Sequence, residues 1–339
     1  MGRYIQDQSK VLGIFESGTY SVALGGSSFW IGQVTENSIS DEENLIITHY
    51  LGTLDRNIDV FDLGPRDVTG TLTYFPQDAR LIFWTIGSNV STSGTNAYHR
   101  VSEIQSNVRQ SAYTSGTLNP PWSFTLEDSK ITTGTGSTLV RTINGVIPNS
   151  LTITASQGEK VQVSLDYIGQ TLIGSAGATP VAVTEDTTTS YLWSHATVRI
   201  GVGANAGSLI DTAKEVVLTI NQNREAPHYL NGSRDVSVAF NGNRDYILDV
   251  TFDLDSDIGN MLYTQFYKGG STFNSSFDLN ADSTAGSKHI VFAMSGCRIV
   301  SMENPTVLEG VTERTVSIRP ISLTGSAWDR VTSGIYSAY

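Results

Sequence analysis

The tripeptide His-Tyr-Leu occurs twice in this chain, at His49-Tyr50-Leu51 and at His228-Tyr229-Leu230, and the matches continue beyond it. Each copy is followed by an Arg (Arg56, Arg234), then an Arg-Asp pair (Arg66-Asp67, Arg244-Asp245), then an alternating strand (68–74 and 246–252). The offsets agree, at 228 − 49 = 179 and 244 − 66 = 178. Features in one order at constant spacing point to an internal duplication, so whatever one half folds into, the other folds into again. Two similar halves read first as an assembly component, because an enzyme more usually concentrates its chemistry in one place.

The match runs on through two segments, 76–84 and 256–263, whose apolar spacing and following Gly (Gly87, Gly269) predict a short helix in each half. Later, Trp122-Ser123-Phe124-Thr125-Leu126 aligns with Ser275-Ser276-Phe277-Asp278-Leu279, at an offset of 277 − 124 = 153. The fall in offset implies an insertion in the first copy, assigned to residues 88–121, a stretch rich in Ser, Thr, Asn and Gly. Loops that long inside a compact unit are generally functional. Linker composition over 175–190 places the division: a first domain over 1–174 and a second over 191–339.

Short alternating runs recur, such as Val161-Gln162-Val163-Ser164-Leu165 and Val236-Ser237-Val238-Ala239-Phe240, punctuated by Gly, Asn and Pro. Period-two alternation of this kind predicts antiparallel strands with one buried face, and a mainly β protein. The formal charge is −12, divided as −6 in residues 1–174 and −6 in 175–339, so neither half is a basic arm for gripping nucleic acid. No segment approaches the roughly 20 apolar residues that span a bilayer. Residues 1–6 lack the basic and apolar regions of a secretion signal, so the expectation is a chain made in a cytoplasm with no membrane partner.

Residues with catalytic or ligating chemistry are scattered. The five histidines (49, 99, 195, 228, 289) lie outside metal-ligand spacing of one another, and the single cysteine, Cys297, reads as a small buried apolar residue. Asp253-Leu254-Asp255-Ser256-Asp257 begins like a calcium loop but has Ile258 where Gly is needed and Thr264 where a bidentate Glu is needed. Gly201 to Gly207 has nearly the glycine spacing of a dinucleotide loop, yet reads as a hairpin turn. The expectation is therefore no enzyme: no catalytic residues, no metal and no cofactor.

Two stretches carry a resemblance. Trp122 to Glu127, Asn144-Gly145-Val146-Ile147-Pro148-Asn149-Ser150-Leu151-Thr152-Ile153 and Gly158-Glu159-Lys160-Val161 in the first half resemble the tail tube (major tail) proteins of long-tailed phages and archaeal viruses. In the second half Val216 to Asn223 and Tyr229 to Arg244 carry it. The resemblance implies two tandem β-sandwich or barrel tail-tube domains, each with a short flanking helix. It further implies rings that stack into a tube through which the genome leaves. Two domains per chain imply a homotrimeric ring with pseudo-sixfold symmetry, carrying 3 × −12 = −36. The partners implied are further copies of the chain and the viral tail-tip, tape-measure and terminator proteins. DNA would pass through the lumen without specific binding, and the chain would belong to the virion tail, assembled in the host cytoplasm.

Segments 49–66 and 228–244 are expected to form long hairpin loops reaching the next ring. The contact candidates are Asp55, Arg56, Arg66 and Asp67 in or next to the first and Arg234, Asp235, Arg244 and Asp245 in or next to the second. Two other readings stay open: a tail-tip or terminator protein that forms one ring without polymerising, and a carbohydrate-binding β-module. The five tryptophans (30, 84, 122, 193, 328) are dispersed and read as core, which disfavours the last.

Overall fold

The computed structural model describes residues 9–16, 20–48, 60–87, 89–93, 98–102, 123–131, 138–201, 208–230, 232–237, 239, 242–253, 262–281, 288–303 and 313–328. The fold is mainly antiparallel β, as the alternation predicts. In the first half, β1 (Lys10–Glu16), β2 (Ala23–Phe29), β7 (Phe124–Ile131), β10 (Thr171–Ala176) and the leading part of β8 (Thr138–Ser156) form one layer. Its order is β2-β1-β7-β8-β10. The trailing part of β8 joins β3 (Gln33–Thr48), β4 (Val60–Phe75) and β9 (Gln162–Gly169) in a second layer, ordered β3-β4-β9-β8.

The second half repeats this pairing scheme. Strands β11 (Ala196–Gly201), β12 (Ser208–Leu209), β15 (Phe273–Asn280), β18 (Ser322–Trp328) and the leading part of β16 (His289–Glu303) are ordered β12-β11-β15-β16-β18. The trailing part of β16 joins β13 (Ala213–Asn221), β14 (Asp245–Asp253) and β17 (Glu313–Arg319) as β13-β14-β17-β16. Irregularities repeat as well: the bulge at Val34/Glu36 against β4 has its equal at Ala213/Glu215 against β14. That at Pro148/Ser150 against β9 has its equal at Ile299/Ser301 against β17. Extra residues are placed by local backbone chemistry, so coincident bulges tie the halves more tightly than strand order alone.

These registers refine one alignment. Phe124 pairs with Val146 and Phe273 with Cys297, each just before an irregularity, so Phe124 corresponds to Phe273 and not to Phe277. Period-two patterns permit slips of two or four residues, which keep every side chain on its face.

The two layers of each half face one another over a single apolar core that runs through both halves. Every residue of α1 (Arg80–Ile86) is buried. Trp84 lies with its ring centroid 5.4 Å from that of Phe29 and 5.8 Å from that of Phe124. The helix flanks the first half as expected, and the second half covers its other side, where the Phe83 ring lies against Gly325 of β18; Leu81, Ile82, Phe83, Trp84 and Ile86 therefore leave it no solvent-facing side. Of the second helical segment, 256–263, residues 256–261 lie outside the described residues; Leu262–Tyr267 form a π-helical turn, with the Phe266 ring centroid 4.5 Å from that of Phe273.

Other expectations are modified. The alternating stretch 236–240 forms no ladder among its described residues, although Val236 and Ala239 are buried; alternation there reflects burial alone. Segment 175–190 is tied down along its length despite its linker composition. Strand β10 runs to Ala176, Val181 N–H donates to Glu127 Oε1 (2.9 Å), and Gln77 Nε2 donates to the carbonyls of Asp186 (2.9 Å) and Thr188. From the insertion 88–121, β5 (Asn89–Ser93) and β6 (Tyr98–Ser102) pair with one another and β6 pairs with β18, extending the β12-β11-β15-β16-β18 layer of the other half. Residues 103–121 lie outside the described residues.

Candidate assembly surfaces

Strand β13 pairs with β8 over seven residues, from Glu215↔Ser156 to Asn221↔Ser150. This ladder fuses the two four-stranded layers into one antiparallel sheet, β3-β4-β9-β8-β13-β14-β17-β16. Alternation gives the sheet one face toward the core (Leu72, Leu165, Leu151, Leu218, Leu248, Ile318) and one toward solvent.

The solvent face is built of hydroxyls and carboxylates. Asp166 accepts from Thr71 Oγ1 and Ser150 Oγ, both at 2.7 Å, bridging β4, β9 and β8. Glu215 accepts from Ser156 Oγ at 3.0 Å, and Asp249 accepts from Ser317 Oγ. Two of the cations here are paired. Lys214 Nζ lies 2.7 Å from both Asp253 and Glu313, and these hydrogen bonds raise its pKa. Arg319 lies 3.4 Å from Asp245. The face is therefore net acidic and offers a polyanion little to grip.

Two ladder edges bound the sheet. Among the described residues, β3 pairs only with β4, and β16 beyond Ile299 pairs only with β17. Such edges present unpaired backbone donors and acceptors, which monomeric proteins normally blunt.

Four of the eight predicted contact residues, Arg66, Asp67, Arg234 and Asp235, gather in one place, within one chain. Arg66 donates through Nε and Nη2 to both carboxylate oxygens of Asp41, at 2.7 and 2.6 Å. Its backbone N–H donates to the carbonyl of Arg234 (2.9 Å), and Arg66 bridges Asp235. Arg234 Nε donates to the Gly64 carbonyl (2.9 Å), and its Nη2 lies 3.4 Å from Glu43. His228 Nε2 lies 3.0 Å from Asp67 Oδ1. The connection between β13 and β14 thus lies across the base of the β3–β4 hairpin. Asp245 is drawn to Arg319 instead, and Arg244 stands one residue before β14. Asp55 and Arg56, with His49, lie outside the described residues. The hairpin is longer than expected, since the ladder reaches Thr48↔Val60 and takes in residues assigned to a loop. Near its end Leu45, Ile46, Ile47, Phe61 and Leu63 are each about half exposed.

Among the described residues no cluster of His, Cys, Asp or Glu could hold a metal ion, and no helix is long and apolar enough to cross a membrane. Cys297 is buried, and burial pushes its thiol pKa up to about 12.

A family model described as phage tail tube protein matches residues 84–327, more than two thirds of the chain. The chain belongs to the phage tail tube family. It is a structural tail tube protein, and the family implies a component of a virion tail that self-assembles into a tube. No curated protein sequence matches it. The tail tube of SPP1, solved by solid-state NMR and cryo-electron microscopy, is similar at 14% identity with a TM-score of 0.33, over 39% of this chain and 77% of that one.

Sequence reasoning found Arg66 and Arg234 in this tube protein but missed their partners Asp41, Glu43 and Gly64. Asp41 and Glu43 lie on β3 and Gly64 on β4, at positions that only the fold brings to these arginines. The apolar hairpin end was legible as the run Leu45-Ile46-Ile47 in an otherwise acidic strand. One tryptophan departs from its reading as core: Trp193 is 43% exposed, held in a 3-10 turn, whereas Trp84 is fully buried. Trp122 lies outside the described residues.

Proposed function

We propose that this tube protein forms homotrimeric rings that stack into the tail tube, the conduit for genome ejection. The reading rests most on the eight-stranded sheet, which passes from one half of the chain to the other and ends on two open edges. Residues 1–174 and 191–339 act as tandem tube domains joined through 175–190, products of a duplication supported by the shared pairing scheme and bulges. Three chains supply 3 × 8 = 24 strands. At about 4.8 Å between strands and a tilt of about 40°, such a barrel is about 48 Å across between backbones, ample for duplex DNA.

The parity of the sheet favours closure. With an even number of antiparallel strands, the last strand of one chain runs opposite to the first strand of the next, so the junction repeats the antiparallel geometry used inside the chain. The hydroxyl and carboxylate face then lines the lumen. It repels the phosphate backbone and avoids the counterion-releasing contacts that would hold DNA in transit. The β3–β4 hairpin, with Leu45, Ile47 and Phe61 exposed near its end, extends toward the next ring, and Asp55, Arg56, Arg66, Asp67, Arg234, Asp235, Arg244 and Asp245 flank that contact. Head-to-tail stacking does not close, so it yields a filament. Tail-tip, tape-measure and terminator proteins meet the tube at its ends and in its lumen, in a virion tail assembled in the host cytoplasm.

Negative-stain microscopy of the concentrated protein tests this reading. Long hollow tubes of uniform width are expected. Single rings that never stack at any concentration would favour a tail-tip or terminator role, and persistent monomers would contradict both.

A further inference from the structure

We infer that the contact between chains in the ring is an antiparallel ladder between β16 of one chain and β3 of a second copy, in the register Ser40↔Glu303, Asp41↔Met302 and Glu42↔Ser301. This deepens the ring reading and rests on it. The register follows from the ladder that the chain makes with itself.

Inside the chain, Thr219 faces Thr152, Ile220 faces Leu151 and Asn221 faces Ser150. The shared bulges convert these positions. Val34/Glu36 and Ala213/Glu215 differ by 179, so Thr219, Ile220 and Asn221 correspond to Ser40, Asp41 and Glu42. Pro148/Ser150 and Ile299/Ser301 differ by 151, so Thr152, Leu151 and Ser150 correspond to Glu303, Met302 and Ser301. The β13–β8 ladder therefore has a translated copy whose two strands sit at opposite ends of the sheet, where only another chain can bring them together.

Side chains at the two edges suit this. Met302 and Ile39 are partly buried apolar residues against the core, and each is left open on its edge side. Ser40, Glu42, Ser301 and Glu303 continue the polar solvent face. The one departure is Asp41, standing where Ile220 stands. Its charge is already met by the bidentate Arg66, so the edge presents a neutralised pair.

Engineered cysteines test the register. Two variants carry in-register pairs, Ser40→Cys with Glu303→Cys and Glu42→Cys with Ser301→Cys. A third, Glu42→Cys with Glu303→Cys, is displaced by two residues. Facing residues on one side of an antiparallel pair have Cβ atoms about 5 Å apart and diagonal ones about 7–8 Å, so only the first two suit a disulfide. Each pair is separated within the chain by the full width of the sheet, so any bond between its members joins two chains. Mild oxidation of assembled tubes, run on a non-reducing gel, is expected to give covalent trimers for both in-register variants, at least ten-fold more than for the displaced one. Tubes that assemble but cross-link best through the displaced pair, or through none, overturn the register while leaving the tube reading intact. Wild-type protein that forms neither rings nor tubes overturns the tube reading, and the ladder with it.

Discussion

Gly145 and Gly296 hold the same left-handed backbone, with φ of 65° and 63°, at the point where β8 and β16 pass from one layer of their half to the other. Each sits within an irregularity of the ladder to β7 or β15, where two residues (Asn144-Gly145, Ser295-Gly296) stand against the one between Phe124 and Leu126 in one half and between Phe273 and Ser275 in the other. A strand of nineteen residues, as β8 is, can serve two layers only if it bends, and glycine takes this conformation without a side-chain clash.

The two sites differ in surroundings, which gives unequal expectations for alanine. A Cβ at Gly145 would lie 2.8 Å from the ring of Tyr20, whose hydroxyl donates to the Gly145 carbonyl at 3.0 Å. A Cβ at Gly296 would meet the tip of Ile321, an exposed side chain with room to move. Left-handed backbone alone costs a non-glycine residue about 1–2 kcal/mol. Chemical denaturation should find Gly145→Ala the more damaging, by about 2–4 kcal/mol in total against about 1–2 for Gly296→Ala.

Much of this fold was legible from alternation, because a strand with one buried face writes its period directly into the sequence. Val161, Val163 and Leu165, the apolar positions of one alternating run, are fully buried. What alternation lacks is register and partner. The β8–β13 ladder joins segments on either side of 175–190, and nothing local in Leu151 or Ile220 marks them as neighbours. The acidic network at the β8 bend was missed for the same reason. Glu16 is buried and accepts from Ser21 N–H (2.9 Å), Ser123 Oγ (2.5 Å), Thr125 Oγ1 (3.1 Å) and Gly145 N–H (2.7 Å), donors brought together only by folding.

Glu16→Gln replaces one accepting oxygen by an NH2 group that would face donors. Hydrogen bonds to a charged group are worth about 1.5–3 kcal/mol each, net, and a buried donor left unmatched costs about 1–3. Thermal or urea unfolding should show a loss of about 2–4 kcal/mol.

The Asp41–Arg66 pair carries a pH signature. Hydrogen bonds from Arg66 hold the Asp41 carboxyl below the ordinary aspartate range, with burial opposing in part. The folded chain therefore binds this proton less readily than the unfolded chain. The stability it contributes is complete above the unfolded value of about 4 and is lost as pH falls through the lower folded value. Wild type should exceed Asp41→Asn in melting temperature at pH 7, by a small margin because the pair is partly exposed, and the margin should shrink as pH falls below the unfolded value.

The hairpin end separates ring formation from stacking. Phe61 and Ile47 face one another across β3 and β4, and both are about half exposed in the single chain. A charge there has little core to disturb. Phe61→Glu should leave melting nearly unchanged while negative-stain images show rings in place of tubes. Tubes of normal length would remove the hairpin from the stacking contact.

The central claim is that one chain supplies two of six similar positions around the ring, with the β8–β13 sheet turned inward. Helical reconstruction of the assembled tube by cryo-electron microscopy counts chains per ring and resolves which face lines the lumen. Three chains and a 24-stranded barrel, with Thr71, Ser150, Asp166 and Thr219 facing the channel, are the predicted result. Six chains per ring, or an inner wall built from the layer containing β1, β7 and β10, would contradict it.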